Sequence, residues 1–366
     1  MDNIISGFSD DELLVKILSF LPTKVAVSTS ILSKQWRFLW MRVPKLEYDA
    51  TIYCDIEKRK RMRRFIDRNL PLHRAPVSNL GLTCVKKLGT YALLPSSLYT
   101  CKFLVTLKLK RGIFVDVPMV CLPSLKTLHL QDEECLQRLL SNGSLLEDLV
   151  VELCKGDNVR TFAVIIPSLL SLSFEISGSC TSGEYVINTP SLKYFKARDF
   201  KADIALRRSS DVKKLLKPAT SVKRLSLLLE VNNVEDQYGD DIVFNELEHL
   251  KLRIRKSYWS KLLFWLLKGS PKLRDLELRQ MIDVGRKCLL SSLQTFKWTS
   301  YCPTTEERDL ATYILETCCQ LKTARIWIAK LDDPQKKLEM KNELLSSCGS
   351  TSTSYSIERF ESLYLR

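Results

Sequence analysis

The chain has 366 residues, of which 45% are apolar and 27% charged, and its formal net charge is +14. That is enough chain for two or more domains with a large core, in the composition range of a folded soluble protein. The longest fully apolar run, Leu262 to Leu267, is far below a membrane span, the Met1-Asp2-Asn3 start lacks the basic and apolar regions of a signal peptide, and twelve cysteines without a single Cys-x-x-Cys pair exclude the spacing of a zinc site or a RING. The cysteines read as reduced and mostly buried in a cytoplasmic and/or nuclear protein, and no cofactor is expected.

The first predicted element is a helix opening at Asp10. Ser9 is a candidate N-cap, Glu12 stands where a capping box needs it, and Asp10, Asp11 and Glu12 put negative charge at the positive end of the helix dipole. The helix should stop near Phe20 or Leu21, because Pro22 disfavours helical geometry in the residue before it. Leu13, Leu14, Val15, Ile17, Leu18, Phe20 and Leu21 cover an arc of roughly 220°, about twice what one core requires. Thr23 and Ser33 are candidate caps of two further short helices, and Trp36, Leu39 and Trp40 share one face of the last. A module of about 45 residues has a marginal core by itself, so the surplus apolar face predicts docking on another protein.

Leu-Leu-Val-Lys-Ile-Leu-Ser-Phe-Leu-Pro-Thr-Lys, then Thr-Ser-Ile-Leu-Ser-Lys-Gln-Trp-Arg-Phe-Leu-Trp, then Val-Pro, resembles the F-box of plant F-box proteins over residues 4 to 49. Two departures are Phe8-Ser9 where Leu-Pro is usual and Lys34-Gln35-Trp36 where Lys-Arg-Trp is usual. The resemblance implies docking on a Skp-family adaptor and through it on a cullin. Phe8, Leu13, Leu14, Ile17, Leu18, Leu21, Pro22 and Val27 are the expected adaptor-binding residues, with Leu32, Trp36, Leu39 and Trp40 holding the module together.

Residues 51–75 carry eight basic and three acidic groups. Met62, Phe65, Ile66 and Leu70 fall near helical spacing there. The segment reads as a basic helical linker packed on the next domain, with a nuclear localisation signal or a nucleic-acid patch as the rival readings.

From residue 76 a template recurs: x-apolar-x-x-apolar-x-apolar. Its copies are Pro76–Leu82, Phe103–Leu109, Ser124–Leu130, Leu145–Val151, Ser168–Phe174, Ser191–Ala197, Ser221–Leu227, Glu246–Leu252, Lys272–Leu278, Ser292–Trp298 and Gln320–Ile326. A period of 20 to 30 residues with this pattern predicts a leucine-rich-repeat solenoid of short parallel strands, stable only as a capped stack. The last two apolar positions of each copy should point inward. Ser177–Gly183 and Val231–Asp241 are predicted loops, and Asp203–Pro218 a helix. The outward positions should line a concave face. Lys108, Lys110, His129, Tyr194, Lys196, Arg198, Arg224, His249, Lys251 and Arg253 are its candidate substrate-binding residues, and they suit an acidic or phosphorylated protein through charge-assisted hydrogen bonds. A merely solvated face, nucleic acid, or a contact with the C-terminal segment are the other readings of the same strands.

The last stretch predicts a strand at Lys322–Ala329 between helices at Glu306–Cys319 and Asp333–Ser346. Cys-Leu-Leu-Ser-Ser-Leu-Gln-Thr-Phe-Lys-Trp, Tyr-Ile-Leu-Glu, Leu-Lys-Thr-Ala, Leu-Glu-Met-Lys-Asn-Glu-Leu and Gly-Ser-Thr-Ser resemble the FBD module that follows the repeats in plant F-box proteins. Its implied place is a cap on the repeats. Cys348, Pro303 and Thr304 depart from its usual pattern. No nucleophile elbow or Gly-rich phosphate loop occurs, and His73, His129 and His249 are far apart, so no catalytic residue is assigned.

The resulting reading is an α/β chain with an N-terminal helical F-box (1–50), a basic helical linker (51–75), an irregular leucine-rich-repeat solenoid with parallel strands (76–286) and a C-terminal α/β FBD module (287–366). By resemblance it is a non-catalytic, substrate-recognition subunit of an SCF-type cullin ubiquitin ligase. The alternatives are a nuclear nucleic-acid- or chromatin-associated protein, and an F-box protein that binds the adaptor outside a cullin ligase.

Overall fold

The computed structural model describes residues 10–49, 56–73, 77–83, 92–99, 101–110, 112–116, 120–131, 136–140, 145–153, 161–176, 184–199, 213, 215–229, 242–254, 259–279, 292–301, 304–318, 320–328, 335, 338–339, 342, 344 and 354–359. They fall in two compact units, Met1–Asp157 with Ile166–Leu169, and Asn158–Ile165 with Leu170–Arg366.

The first unit opens with helix α1 (Asp10–Ser19) and helix α2 (Thr23–Ser28). After α1 the N–H groups of Phe20 and Leu21 bond to the carbonyls of Ile17 and Leu18, each at 3.1 Å, a tightened last turn imposed by Pro22 ahead. The proposed cap Ser9 lies outside the described residues. Neither of the other two expected caps acts as one. Pro22 opens α2, and the Thr23 hydroxyl instead accepts from the Glu47 N–H at 2.7 Å, while the 3-10 helix Trp36–Arg42 starts at Gln35 with no side-chain cap. Leu18, Ala26, Leu39, Trp40 and Val43 form the core of this module, with Leu14, Val15, Val27, Trp36, Met41 and Phe65 packed around it.

Strand β1 (Lys45–Asp49), helix α3 (Ile56–Asn69) and strand β2 (Asn79–Thr83) follow. β1 pairs with β2 in parallel, Leu46 opposite Leu80 and Tyr48 opposite Leu82. Parallel neighbours need a crossover, and α3 supplies it. The helix expected within residues 51–75 is therefore the crossover between two paired strands. Phe65 stacks on Trp40 with ring centroids 5.9 Å apart, Ile66 is buried, and the Asp67 carboxylate accepts from the Ser97 N–H at 2.9 Å. Arg63 reaches Asp67 at 3.8 Å and Asp116 at 3.6 Å. Residues 42–48 (Arg-Val-Pro-Lys-Leu-Glu-Tyr) fit the repeat template, with Val43 and Leu46 buried. They are a first copy that was absorbed into the F-box pattern.

The unit continues with β3 (Ala92–Leu93), β4 (Thr106–Lys110), β5 (Ile113–Phe114), β6 (Thr127–Gln131), helix α4 (Leu136–Leu140) and β7 (Asp148–Leu153). β1, β2, β4, β6 and β7 stand in that order in one parallel sheet, and β3 pairs with β5 in another.

The second unit holds β8 (Thr161–Ile165), β9 (Ser171–Ile176), β10 (Glu184–Asn188), β11 (Tyr194–Asp199), β12 (Arg224–Leu229), β13 (His249–Ile254), helix α5 (Trp259–Lys268), β14 (Asp275–Arg279), β15 (Thr295–Tyr301), helix α6 (Thr305–Thr317), β16 (Thr323–Ile328) and β17 (Ser354–Arg359). From β9 its strands run in parallel in the order β9, β11, β12, β13, β14, β15, β16, β17, and β10 pairs with β8 apart from them. The run Leu262–Leu267 lies in α5, where all but Phe264 are buried. Thr304 caps α6, its hydroxyl accepting from the Glu307 N–H at 3.3 Å, and Leu310, Ala311, Ile314 and Leu315 are its buried face. β17 lies beside β16, with Tyr355 opposite Ala324 and Ile357 opposite Ile326. It is a last copy that the template did not find, because Ser352 stands where the first apolar residue belongs.

All eleven predicted copies bury their inward residues, from Val77, Leu80 and Leu82 to Leu321, Ala324 and Ile326. Neighbouring copies are tied the same way in both units. Two consecutive N–H groups of one copy bond to one carbonyl of the copy before: Lys126 and Thr127 to Val105 at 2.9 and 3.0 Å, Glu248 and His249 to Lys223 at 3.0 Å each. The serine that opens several copies adds a bond of its own, Ser124 to the Lys102 carbonyl at 2.6 Å and Ser292 to the Leu273 carbonyl at 2.7 Å.

The predicted loops 177–183 and 231–241, and most of the predicted helices 203–218 and 333–346, lie outside the described residues. Within the last of these Leu344 is buried and Leu338 is exposed. Among the described residues no helix is long and apolar enough to cross a membrane.

Candidate functional site

Two surfaces stand out, one in each unit. The first is on the N-terminal module. Leu13 and Ile17, one turn apart on α1, are each 45% exposed, while Leu18 beside them is at 0%. Phe20 at 80%, Ile31 at 87% and Leu32 at 64% extend the open apolar surface, with Leu21, Val25 and Phe38 also exposed. The backbone beneath is pinned from both ends of the module. Asp11 pairs with Arg42 at 3.2 Å and accepts from the Gln35 amide at 3.2 Å, which ties the start of α1 to the 3-10 helix Trp36–Arg42. His73 packs edge-on against Trp40 at 5.5 Å, and burial lowers its pKa from 6.5 to about 4. The module is thus a small, closed core that carries an apolar face with no covering among the described residues.

The second surface is the outward face of the strands in the second unit. Here a groove of about 490 Å³ is lined by Tyr194, Arg224, Ser226, His249, Lys251, Asp275, Glu277, Thr295 and Lys297. In the sheet register Arg224, His249, Asp275 and Thr295 stand side by side, and so do Ser226, Lys251, Glu277 and Lys297 one step along. His249 Nδ1 contacts the Asp275 carboxylate, and Lys251 pairs with Glu277 at 2.7 Å. Two carboxylates therefore stand among the basic residues at the middle of the groove. Nearby, Arg198 pairs with Glu175 at 3.1 Å. Burial raises the Tyr194 pKa, and the Arg224 guanidinium opposes that rise.

The F-box domain family matches residues 10–48, which contain the open apolar face, and the FBD family matches residues 286–326. A putative FBD-associated F-box protein of Arabidopsis thaliana is 54% identical, covering 94% of this chain and 85% of its own length. A putative F-box/FBD/LRR-repeat protein of the same plant is 48% identical, over 94% of this chain and 97% of its own. An FBD-associated F-box protein, again from Arabidopsis thaliana, is 43% identical, over 96% and 98%. The chain belongs to the F-box/FBD/LRR-repeat family.

In this F-box/FBD/LRR-repeat protein the residues expected on the adaptor face separate. Leu13, Ile17, Leu21 and Pro22 are exposed, Leu14 and Val27 are half-buried against the module core, and Phe8 lies outside the described residues. Leu18 was placed on that face and is wholly inside, because the helix turns it onto Leu39 and Trp40. Leu32 was placed in the core and is out in solvent, whereas Trp36, Leu39 and Trp40 do pack in it. Ile31 and Phe38 were not singled out as surface residues.

The ten strand-face candidates also divide. Lys108, Lys110 and His129 belong to the first unit, where Lys108 stands opposite His129 in the register and burial lowers the His129 pKa ahead of the Lys108 charge. Tyr194, Arg224, His249 and Lys251 come together in the groove, and Lys196, Arg198 and Arg253 lie on the same strands outside it. Asp275 and Glu277 were missed. Aligning the copies by their apolar positions would have set them opposite His249 and Lys251.

Proposed function

We propose that this protein is the substrate-recognition subunit of an SCF-type cullin ubiquitin ligase, in the cytoplasm and/or the nucleus. The F-box face docks a Skp-family adaptor, and the adaptor links it to the cullin. The outward strand face of the repeats binds a protein substrate. Ubiquitin transfer belongs to other subunits, with this chain supplying proximity, so it is itself non-catalytic. The observation that carries the reading is the exposure of Leu13 and Ile17 on a module whose core is already closed by Leu18, Leu39 and Trp40. An apolar patch of this kind on a folded module marks an interaction site.

Co-purification with a Skp-family adaptor tests it. Ile17→Asp is expected to abolish the complex without unfolding the chain. Leu14→Asp is a poorer probe, because Leu14 packs against the module core. A stoichiometric complex that survives both Leu13→Asp and Ile17→Asp would sink the assignment of this face. Adding a cullin to the purified pair separates a ligase subunit from an F-box protein that works outside a cullin ligase.

A second reading rests on α3, where Arg61, Arg64 and Arg68 are exposed along one stripe. It makes the protein a nuclear nucleic-acid- or chromatin-associated one and predicts binding that weakens steeply with salt. Arg63 is engaged with Asp67 and Asp116, and Arg59 is buried, which leaves the stripe short.

A further inference from the structure

The groove on the second unit has an uneven charge pattern. Its central basic residues face carboxylates one strand away, His249 facing Asp275 and Lys251 facing Glu277. Glu277 also lies 3.8 Å from Arg279. Arg224 on one side of these pairs and Lys297 on the other make no ion pair among the described residues. In the register Arg224 stands between Tyr194 and His249, and Lys297 between Glu277 and Arg325, with Ser226 and Thr295 two residues away on the same strands. The result is two separate cationic positions with the carboxylates of Asp275 and Glu277 between them.

Their separation follows from the sheet. Arg224 and Lys297 lie on β12 and β15, three strand steps apart, with Lys297 two residues further along. At about 4.8 Å per step and about 3.3 Å per residue the two backbones are about 16 Å apart. In an extended peptide side chains that share a face are an even number of residues apart, and four residues span about 13 Å while two span only about 7 Å. The lengths of the Arg and Lys side chains cover the remaining gap for a spacing of four. Asp275 and Glu277 stand between the two positions, so a dianionic phosphate meets more repulsion here than a carboxylate does.

We propose that this groove binds an extended acidic peptide segment with two carboxylate side chains four residues apart, one held by Arg224 and the other by Lys297. The inference rests on the proposed reading of the strand face as the substrate site, and it names the substrate class. The residues between the two acids cross the His249–Asp275 and Lys251–Glu277 pairs and need no charge.

Fluorescence anisotropy on the full chain, purified after co-expression with a Skp-family adaptor whether or not the adaptor is retained, tests the proposal. The probes are labelled octapeptides of Thr, Val and Gly with two Glu at spacings of two or four, and a third peptide with phosphoserine in both positions at a spacing of four. The spacing of four is expected to bind about tenfold or more tighter than the spacing of two, and tighter than the phosphoserine peptide. Arg224→Gln and Lys297→Gln should each reduce it to the level of the spacing of two. Equal affinity at both spacings, no binding of any probe, or preference for phosphoserine would overturn the proposal, and these results need only the unaltered chain. Adaptor co-purification in the same preparation reads the ligase assignment separately. Peptide selectivity without adaptor overturns that assignment alone, and adaptor binding with no spacing preference overturns this inference alone.

Discussion

The N-terminal module and the repeat strands are built from the same kinds of apolar residues and close their cores differently. In the repeats each inward residue meets the equivalent residue of the copies on either side, so Leu225, Leu250 and Leu276 form one buried row. The inward rows close in this way, and the apolar residues that stay exposed in the repeats, such as Phe103, Leu145 and Ile165, lie off those rows. In the module α1 has apolar residues most of the way around. One side rests on Leu39 and Trp40, and the other ends at Leu13, Ile17 and Phe20 in the open. A repeat solves its burial problem with its neighbour in the same chain. The F-box leaves part of its own unsolved, and that remainder is what a partner can use.

This contrast can be broken at several points, and the expected effects on stability differ in size. Trp298→Ala removes a fully buried side chain from the second unit and should cost about 3–5 kcal/mol in denaturant or thermal melts. Thr23→Val keeps the shape of its buried side chain but leaves the Glu47 N–H unpaired, for a loss of about 1–3 kcal/mol. The module should also be acid-sensitive. His73 has its pKa lowered in the folded chain, so the unfolded chain takes up a proton first as pH falls below 6.5, and stability declines until about pH 4. Above pH 6.5 the imidazole is neutral in both states and gives no slope. His73→Gln should remove this part of the pH dependence in equilibrium unfolding. The smallest effect belongs to Ile17→Asp, a surface change that should move the melt of the free chain by no more than about 0.5 kcal/mol while the adaptor complex is lost. A large drop in the free chain would mean that Ile17 is part of the core after all, and the contrast would fail.

Much of the fold was legible because repeat burial is dictated by alternation within each strand, and that needs no partner to be known. The triplets from Val77, Leu80 and Leu82 onward were therefore readable once their repetition was seen. The first copy was hidden by its overlap with the F-box pattern, and the last by Ser352 at its first apolar position. Within the module an apolar arc so wide does not say which part of it faces inward. That choice is made by the long-range packing of Leu39 and Trp40, so Leu18 and Leu32 exchanged roles between expectation and structure. The strand face was legible in position and less so in charge. A lysine or histidine counts as basic on its own strand, but its environment includes the residue opposite on the next copy. For His249 and Lys251 that residue is an acid.

Strand β1 gives the F-box a second relation to the sheet. Its pairing with β2 supplies the backbone bonds along one side of that strand, and the sheet of the first unit begins there. A chain cut after residue 49 would present Asn79–Thr83 as a bare sheet edge, with its N–H and C=O groups open to any other extended chain. The F-box is in this respect a guard against edge-to-edge aggregation. A fragment made by deleting it should be lost to insolubility before any binding by the repeats can be read. A fragment that retains residues 45–49 and the α3 crossover should stay in solution.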